Sequence, residues 1–122
     1  MMETQSNNFT ERRRSQRMES NLPIKYRNLK MAAAPASSST KDISEGGVRF
    51  HTGEFISLAC RLVVEISIPT VQRPIKAISK VAWIRKSAAG DKYELGNQFL
   101  EISKEDRAAI TEYVSRIANA NL

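Results

Sequence analysis

Four arginines stand within six residues in the stretch FTERRRSQRMES, which runs from Phe9 to Ser20. A charged segment that serves only solubility usually mixes arginine with lysine and acids, whereas no lysine or acid interrupts these four. The guanidinium group is planar, permanently charged and presents its donors in a fixed fork, so it binds phosphates and carboxylates through paired hydrogen bonds. We therefore expect this segment to bind an anion. The four residues are Arg12, Arg13, Arg14 and Arg17.

The positive charge of the whole chain is concentrated near its N-terminus. The chain has 122 residues, 19 of them lysine or arginine, and a formal net charge of +6. Seven of the 19 basic residues lie between Arg12 and Lys30, where Glu19 is the one acid. A field of this kind favours nucleic acid, a nucleotide or an acidic membrane surface as the partner.

Composition indicates one globular domain with its own core. Hydrophobic residues make up 41% and charged residues 26% of the chain, which is an ordinary globular balance. The single cysteine, Cys60, excludes an intrachain disulfide and fits a reducing compartment. The polar N-terminus does not read as a signal peptide, and no apolar run approaches the roughly 20 residues that span a bilayer. We expect a cytoplasmic domain.

Alternating apolar residues predict a mainly β fold. Leu58, Cys60 and Leu62 begin the longest alternation and are expected to point inward, and Trp83 is expected in the core, with the rim of a ligand site as the alternative. MAAAPASSSTK is predicted to be an exposed loop because Pro35 interrupts it. Five or six consecutive strands with short turns indicate an antiparallel sheet or a closed barrel. The predicted strands are LPIKYRNLK, GVRFHT, LACRLVVEISIP, RPIKAISKVAWIRK and YELGNQFLEI.

The C-terminal segment has the pattern of one amphipathic helix. Ser103 and Asp106 resemble a capping box, with a carboxylate in the first turn where the helix dipole favours it. Ile110, Val114 and Ile117 share one helical face. We expect this face to pack on the sheet or barrel.

A second stretch, KDISEGGVRF, carries short polar residues and two glycines directly before a strand. Asp42 and Ser44 can hydrogen-bond to nearby backbone and stabilise a turn. Gly46 and Gly47 permit a positive φ or the close approach of another group. On its own, the stretch can be a local turn or part of a binding site.

The two stretches together resemble the signature of the PilZ domain, the bacterial receptor module for cyclic di-GMP. Arg13 and Arg17 have the spacing R-x-x-x-R, and Asp42, Ser44 and Gly47 have the spacing D-x-S-x-x-G. GNQF at 96–99 also resembles the G-x-x-F segment found late in the family's barrel. The resemblance implies a six-stranded antiparallel β-barrel with a C-terminal α-helix. It divides the chain into a flexible tail (1–10) and a PilZ domain (11–122), made of an arginine-rich ligand-binding arm (11–20), a barrel (21–102) and the helix (103–120).

The resemblance also implies a set of ligand-binding residues. Arginine can pair with guanine O6 and N7 or with phosphate, and it can stack on a purine. Asp42 can accept hydrogen bonds from the N1 and N2 edge of guanine, Ser44 can donate to an oxygen, and the glycines leave room beside the strand. In the family, the residue before R-x-x-x-R bears on whether one ligand or an intercalated pair is held. The implied set is Arg12, Arg13, Arg14, Arg17, Asp42, Ser44, Gly46 and Gly47.

Cyclic di-GMP would order the arm and so relay the signal to an unidentified effector protein. We predict no enzyme activity, cofactor or metal site, because His51 is the only histidine and the chain has no paired carboxylates, G-x-S-x-G or P-loop. One alternative is a small basic barrel that binds RNA or single-stranded DNA, although Tyr26 is the only aromatic residue near the arm that could stack on bases. The other is a PilZ-like protein-interaction module without a ligand.

Overall fold

The computed structural model describes residues 17–31 and 33–120. They form seven β-strands followed by one α-helix. These elements are β1 (Met18–Glu19), β2 (Pro23–Asn28), β3 (Ala36–Ser44), β4 (Gly47–Thr52), β5 (Arg61–Ile66), β6 (Ile75–Lys86), β7 (Tyr93–Ile102) and α1 (Lys104–Ala120).

Six of the strands close into a barrel. The strand order is β3, β2, β5, β6, β7 and β4, and β4 pairs in turn with β3. Every pairing is antiparallel. The short strand β1 continues the line of β2 along β3, with Met18 opposite Ile43. The six-stranded antiparallel barrel with a C-terminal helix, predicted from the sequence, is confirmed.

One apolar core fills the barrel and extends under α1. Ile24 of β2 and Phe50 of β4 are fully buried in it, as the two-residue alternation of their strands requires. The hydroxyl of Ser103 accepts the backbone N–H of Asp106 at 3.1 Å and caps α1. The helix buries Ile110 and packs against β1, β3 and β6. In the described part of the chain, no helix is both long and apolar enough to cross a membrane.

The predicted loop over MAAAPASSSTK was wrong in its second half, because β3 begins at Ala36. Ser38 lies opposite Ile24 of β2, and its hydroxyl donates to the carbonyl of His51 at 2.7 Å. Serine has a weak intrinsic preference for strands, but pairing with β2 and β4 supplies this segment with backbone partners on both sides. Tertiary pairing therefore decided the conformation here.

The strand predicted from Leu58 begins three residues later, at Arg61. Ala59 has a φ of 67°, and this left-handed backbone interrupts the alternation. Leu58 is therefore 61% exposed rather than buried. Cys60 lies half-buried against the core, where Nδ2 of Asn28 donates to its sulfur at 3.1 Å.

Candidate functional site

A cavity of about 680 Å³ lies on the outer face of the barrel, where β3, β4, β6 and β7 run side by side. Arg17, which directly precedes β1, forms part of its wall together with Asp42 and Ser44 of β3. The last arginine of the R-x-x-x-R motif and the first two residues of the D-x-S-x-x-G motif therefore meet in one place. Arg12, Arg13 and Arg14 lie outside the described residues.

The strand register assembles the floor of this cavity from four strands. Asp42 of β3 lies opposite Arg49 of β4, Arg49 lies opposite Gly96 of β7, and Gly96 lies opposite Trp83 of β6. Directly opposed residues on one face of an antiparallel sheet have Cβ atoms about 5 Å apart. Residues 34 positions apart in the chain, such as Arg49 and Trp83, therefore become neighbours of the same glycine.

Asp42 is held between two arginines. Nη1 of Arg17 donates to Oδ1 of Asp42, and Nε of Arg49 donates to Oδ2 at 2.8 Å. Asp42 is only 8% exposed, and an unpaired carboxylate at such a position would be costly. The two guanidinium groups supply the compensating charge.

Glu94 of β7 forms the second half of the same network. Its Oε2 accepts Nη1 of Arg49 at 2.7 Å, and its Oε1 accepts Nε of Arg85 at 2.7 Å. Burial alone would raise the pKa of Glu94, but the hydrogen bond from Arg85 and the charge of Arg49 lower it below the ordinary value. Burial and the charge of Lys41 lower the pKa of His51, whose Nε2 lies 4.0 Å from Oε2 of Glu94.

Trp83 lies on the outer face, so the prediction that it belongs to the core was wrong. Val81 is buried and pairs with Asn97, but the next pair along β7 joins Gly96 to Trp83. Ala82 is thus an extra residue, and this β-bulge shifts the alternation of β6 by one position. Trp83 is 40% exposed and lines the cavity, which is the alternative position that the sequence left open.

The indole of Trp83 packs against Gly96 and beside Arg85. It lies so close to Gly96 that a Cβ added there would be 2.1 Å from Nε1 of the ring. The guanidinium carbon of Arg85 lies 5.5 Å from the ring centroid, which is within cation–π distance. The cavity therefore has an exposed aromatic surface with a cation beside it.

Ser44 and the two motif glycines shape the turn between β3 and β4. Ser44 is 3% exposed and its hydroxyl accepts the N–H of Gly46 at 3.2 Å. Gly46 lines the cavity, but Gly47 does not. A Cβ on Gly47 would be 2.1 Å from the carbonyl oxygen of Asn97, so this glycine allows β4 and β7 to approach closely. Neither glycine has a positive φ.

The sequence interpretation missed Arg49, Arg85 and Glu94 as site residues. Arg49 alternates with the buried Val48 and Phe50, so its outward direction could be read from a period of two. The alternation could not show that Arg49, Arg85 and Glu94, which belong to three different strands, lie together. Among the residues that the structure describes, no group of three histidine, cysteine, aspartate or glutamate side chains is placed to hold a metal ion.

A comparison with protein-family models matches residues 11–116 to the PilZ domain. The chain belongs to the PilZ domain family. The family predicted from the two motifs is thus confirmed, and the match includes both of them. A comparison with curated proteins found no match.

Solved PilZ structures share this fold. Bacillus subtilis inhibitor of motility, MotI/DgrA, superposes with a TM-score of 0.78 at 20% identity, covering 89% of this chain and 52% of that chain. The PilZ domain of YcgR from Escherichia coli, solved with c-di-GMP, superposes with a TM-score of 0.65 at 16% identity, covering 90% of this chain and 96% of that chain. The K. pneumonia MrkH–c-di-GMP complex superposes with a TM-score of 0.69 at 18% identity, covering 90% of this chain and 54% of that chain. The chain thus spans about half the length of MotI/DgrA and of MrkH.

Proposed function

We propose that this PilZ domain is a cytoplasmic receptor for cyclic di-GMP rather than an enzyme, and that it passes the signal to a partner protein. The ion pair between Arg17 and Asp42 on the cavity wall supports the proposal most directly, because it joins the two sequence motifs in space. The PilZ domain of YcgR and MrkH, which share the fold, were both solved with c-di-GMP.

The two sides of the Arg17–Asp42 pair match the two kinds of group on the ligand. The carboxylate of Asp42 can accept hydrogen bonds from N1 and N2 of a guanine, and the guanidinium of Arg17 can bind a phosphate or guanine O6 and N7. Binding would exchange one internal ion pair for two contacts with ligand. Arg49, whose Nε donates to Oδ2 at 2.8 Å, would stay on Asp42 and keep the carboxylate compensated.

Trp83 supplies the stacking surface that such a ligand needs. The indole is 40% exposed on the cavity floor, and stacking of one base on an aromatic side chain contributes roughly 1–3 kcal/mol. We propose that one guanine stacks here while Asp42 binds its hydrogen-bonding edge or that of the second guanine. Arg12, Arg13 and Arg14 would add cations for the phosphates.

The turn residues have a narrower role in this proposal. The hydroxyl of Ser44 already accepts the N–H of Gly46 and lies 3.5 Å from the carbonyl oxygen of Gly47. Its single proton can still rotate toward a ligand oxygen. Gly46 leaves the backbone open on the cavity side, and Gly47 contributes through the packing of β4 on β7.

The relay to a partner would start at the arm (residues 11–20). Arg17 is followed at once by β1, which pairs with β3 and is in contact with α1. A dianion that binds both Arg13 and the barrel would extend this existing contact of residues 17–20 to the rest of the arm. An effector protein that recognises the ordered arm would then detect the ligand.

Calorimetric titration with cyclic di-GMP tests the proposal. We expect micromolar binding, about 8 kcal/mol, that is lost in the Arg13→Ala/Arg17→Ala variant and absent with GMP. The matched control is Arg107→Ala/Arg116→Ala, which removes the same charge from exposed positions on α1. Two ligands per protomer would support a role of Arg12 in holding a pair.

Absence of heat from a folded wild-type protein would contradict the receptor proposal. Titration with single-stranded nucleic acid across a salt series would then separate the remaining candidates. A steep salt dependence would indicate a nucleic-acid-binding barrel, and no binding would indicate a protein-interaction module.

A further inference from the structure

We infer that Glu94 is a positioning residue of the ligand site, which holds Arg49 against Asp42 and Arg85 against Trp83. The inference rests on the proposed function, since the residues it positions are those proposed to contact cyclic di-GMP. Glu94 itself lies outside both sequence motifs.

Both oxygens of Glu94 are used, and each serves a different arginine. Oε2 accepts Nη1 of Arg49 at 2.7 Å, whereas Oε1 lies 2.7 Å from both Nε and Nη2 of Arg85. The side chain of Glu94 is 10% exposed and that of Arg85 is 66% exposed. A long exposed side chain would otherwise sample many rotamers, so the paired contact with a buried carboxylate is what gives Arg85 one orientation.

The two arginines connect Glu94 to Asp42 and to Trp83, both of which line the cavity. Arg49 donates to Asp42 through Nε and to Glu94 through Nη1, so one rigid guanidinium joins the two carboxylates. Arg85 is held 5.5 Å from the centroid of Trp83. The hydrogen-bonding wall and the aromatic floor are thus connected through a single glutamate.

Glu94 could affect binding through its charge or through the positions of Arg49 and Arg85, and the two explanations predict opposite changes in affinity when the charge is removed. A negative group beside a site for a dianion repels it, so the removal of that charge should strengthen the binding of every anion. If Glu94 positions its neighbours, its neutralisation should instead weaken the binding of cyclic di-GMP. The lowered pKa of Glu94 keeps the carboxylate ionised at neutral pH, where the test is made.

The first test compares Glu94→Gln with Glu65→Gln by calorimetry, using cyclic di-GMP as the probe. Glu65 is a partly exposed glutamate of β5 whose Oε2 lies 3.8 Å from Nζ of Lys76, so its substitution makes the same change in net charge outside the cavity. We expect Glu94→Gln to weaken cyclic di-GMP binding about tenfold, as for one charge-assisted contact, and Glu65→Gln to bind as the wild type does. Equal or tighter binding of cyclic di-GMP by Glu94→Gln would overturn the inference.

The second test needs no ligand. Nitrogen-15 NMR of the free protein should show slowly exchanging signals for the Nη1–H of Arg49 and the Nε–H of Arg85, the groups that donate to Glu94, in the wild type and in Glu65→Gln. Both signals should be lost in Glu94→Gln. Signals that persist in Glu94→Gln would refute the positioning role. If the wild type binds no cyclic di-GMP, the proposed function fails, and these signals alone decide whether Glu94 orients the two arginines.

Discussion

Arg17 and Asp42 lie 25 positions apart in the chain, and their side chains form an ion pair on the wall of the cavity. Arg49 contacts the other oxygen of the same carboxylate at 2.8 Å. Asp42 would therefore keep one cationic partner if Arg17 turned to a ligand. This arrangement lets one buried acid exchange partners without being left unpaired.

Asp42→Asn should weaken cyclic di-GMP binding by about 1–3 kcal/mol, because the amide replaces one acceptor with a donor that faces the N–H groups of guanine. Calorimetry measures the change. Asp91→Asn, in the exposed turn before β7, is the control and should bind as the wild type does. Unchanged affinity in Asp42→Asn would show that guanine is bound elsewhere.

Trp83→Leu should weaken binding by about 1–3 kcal/mol through the loss of base stacking. Because Trp83 is the only tryptophan, ligand should also quench the intrinsic fluorescence of the wild type. Leu100→Ala removes another exposed apolar side chain, from β7, and should leave the affinity intact. A ligand that binds Trp83→Leu normally and does not change wild-type emission is not stacked on this ring.

Three glycine-to-alanine substitutions should separate packing from binding. Gly47→Ala should destabilise the fold by about 1–3 kcal/mol, because the new Cβ would meet the backbone carbonyl of Asn97. Gly96→Ala should instead displace the indole of Trp83, with a shifted emission spectrum and weaker binding. Gly53→Ala, where nothing lies within 4 Å of the added Cβ, is the control. Thermal unfolding and fluorescence together check the assignment, and a Gly96→Ala spectrum like that of the wild type would contradict it.

Asp106 should make stability depend on acid pH. Burial acts to raise the pKa of Asp106, but Arg73, whose Nη2 lies 2.7 Å from Oδ1, and the N–H of Lys76 lower it below the ordinary value. The unfolded chain therefore takes up the proton first, so the stabilisation is complete above the unfolded pKa of roughly 3.9 and is lost as the pH falls through the folded value.

Asp106→Asn should accordingly lower Tm at pH 7, and its difference from the wild type should shrink as the pH falls below about 4. Thermal unfolding across this pH range provides the measurement. A difference that stays constant down to pH 2 would mean that Asp106 acts through shape rather than charge. Asp91→Asn, outside α1 and its contacts, should follow the wild-type curve.

The fold could be predicted because alternation along each strand is a local property of the sequence. Leu22, Ile24 and Tyr26 are buried, as their spacing indicates. Two of the failures occur where one residue breaks the period, and a third, at β3, occurs where tertiary pairing decided the conformation. Ala59 takes a left-handed conformation, and Ala82 forms a bulge that turns Trp83 outward. Neither residue type indicates such a backbone by itself.

Only part of the candidate site could be predicted from the sequence, for a different reason. The motif residues Arg17 and Asp42 lie together on the cavity wall. The contributions of Arg49 and Glu94 depend on which residues face each other across β4 and β7. That register is set by long-range pairing and is not encoded in the spacing of either strand alone.

Closure of the barrel also limits how a partner can recognise the molecule. Each of the six barrel strands has a hydrogen-bonded neighbour on both sides, although the pairing of β6 with β5 ends at Lys80, and among the described strands only the two-residue β1 pairs on one side alone. A binding protein therefore finds little open strand edge that it could extend with a strand of its own. It has to recognise side chains, and those on the outer face include the residues proposed to meet the ligand. Binding of cyclic di-GMP in the cavity would then change the same surface that a partner protein recognises.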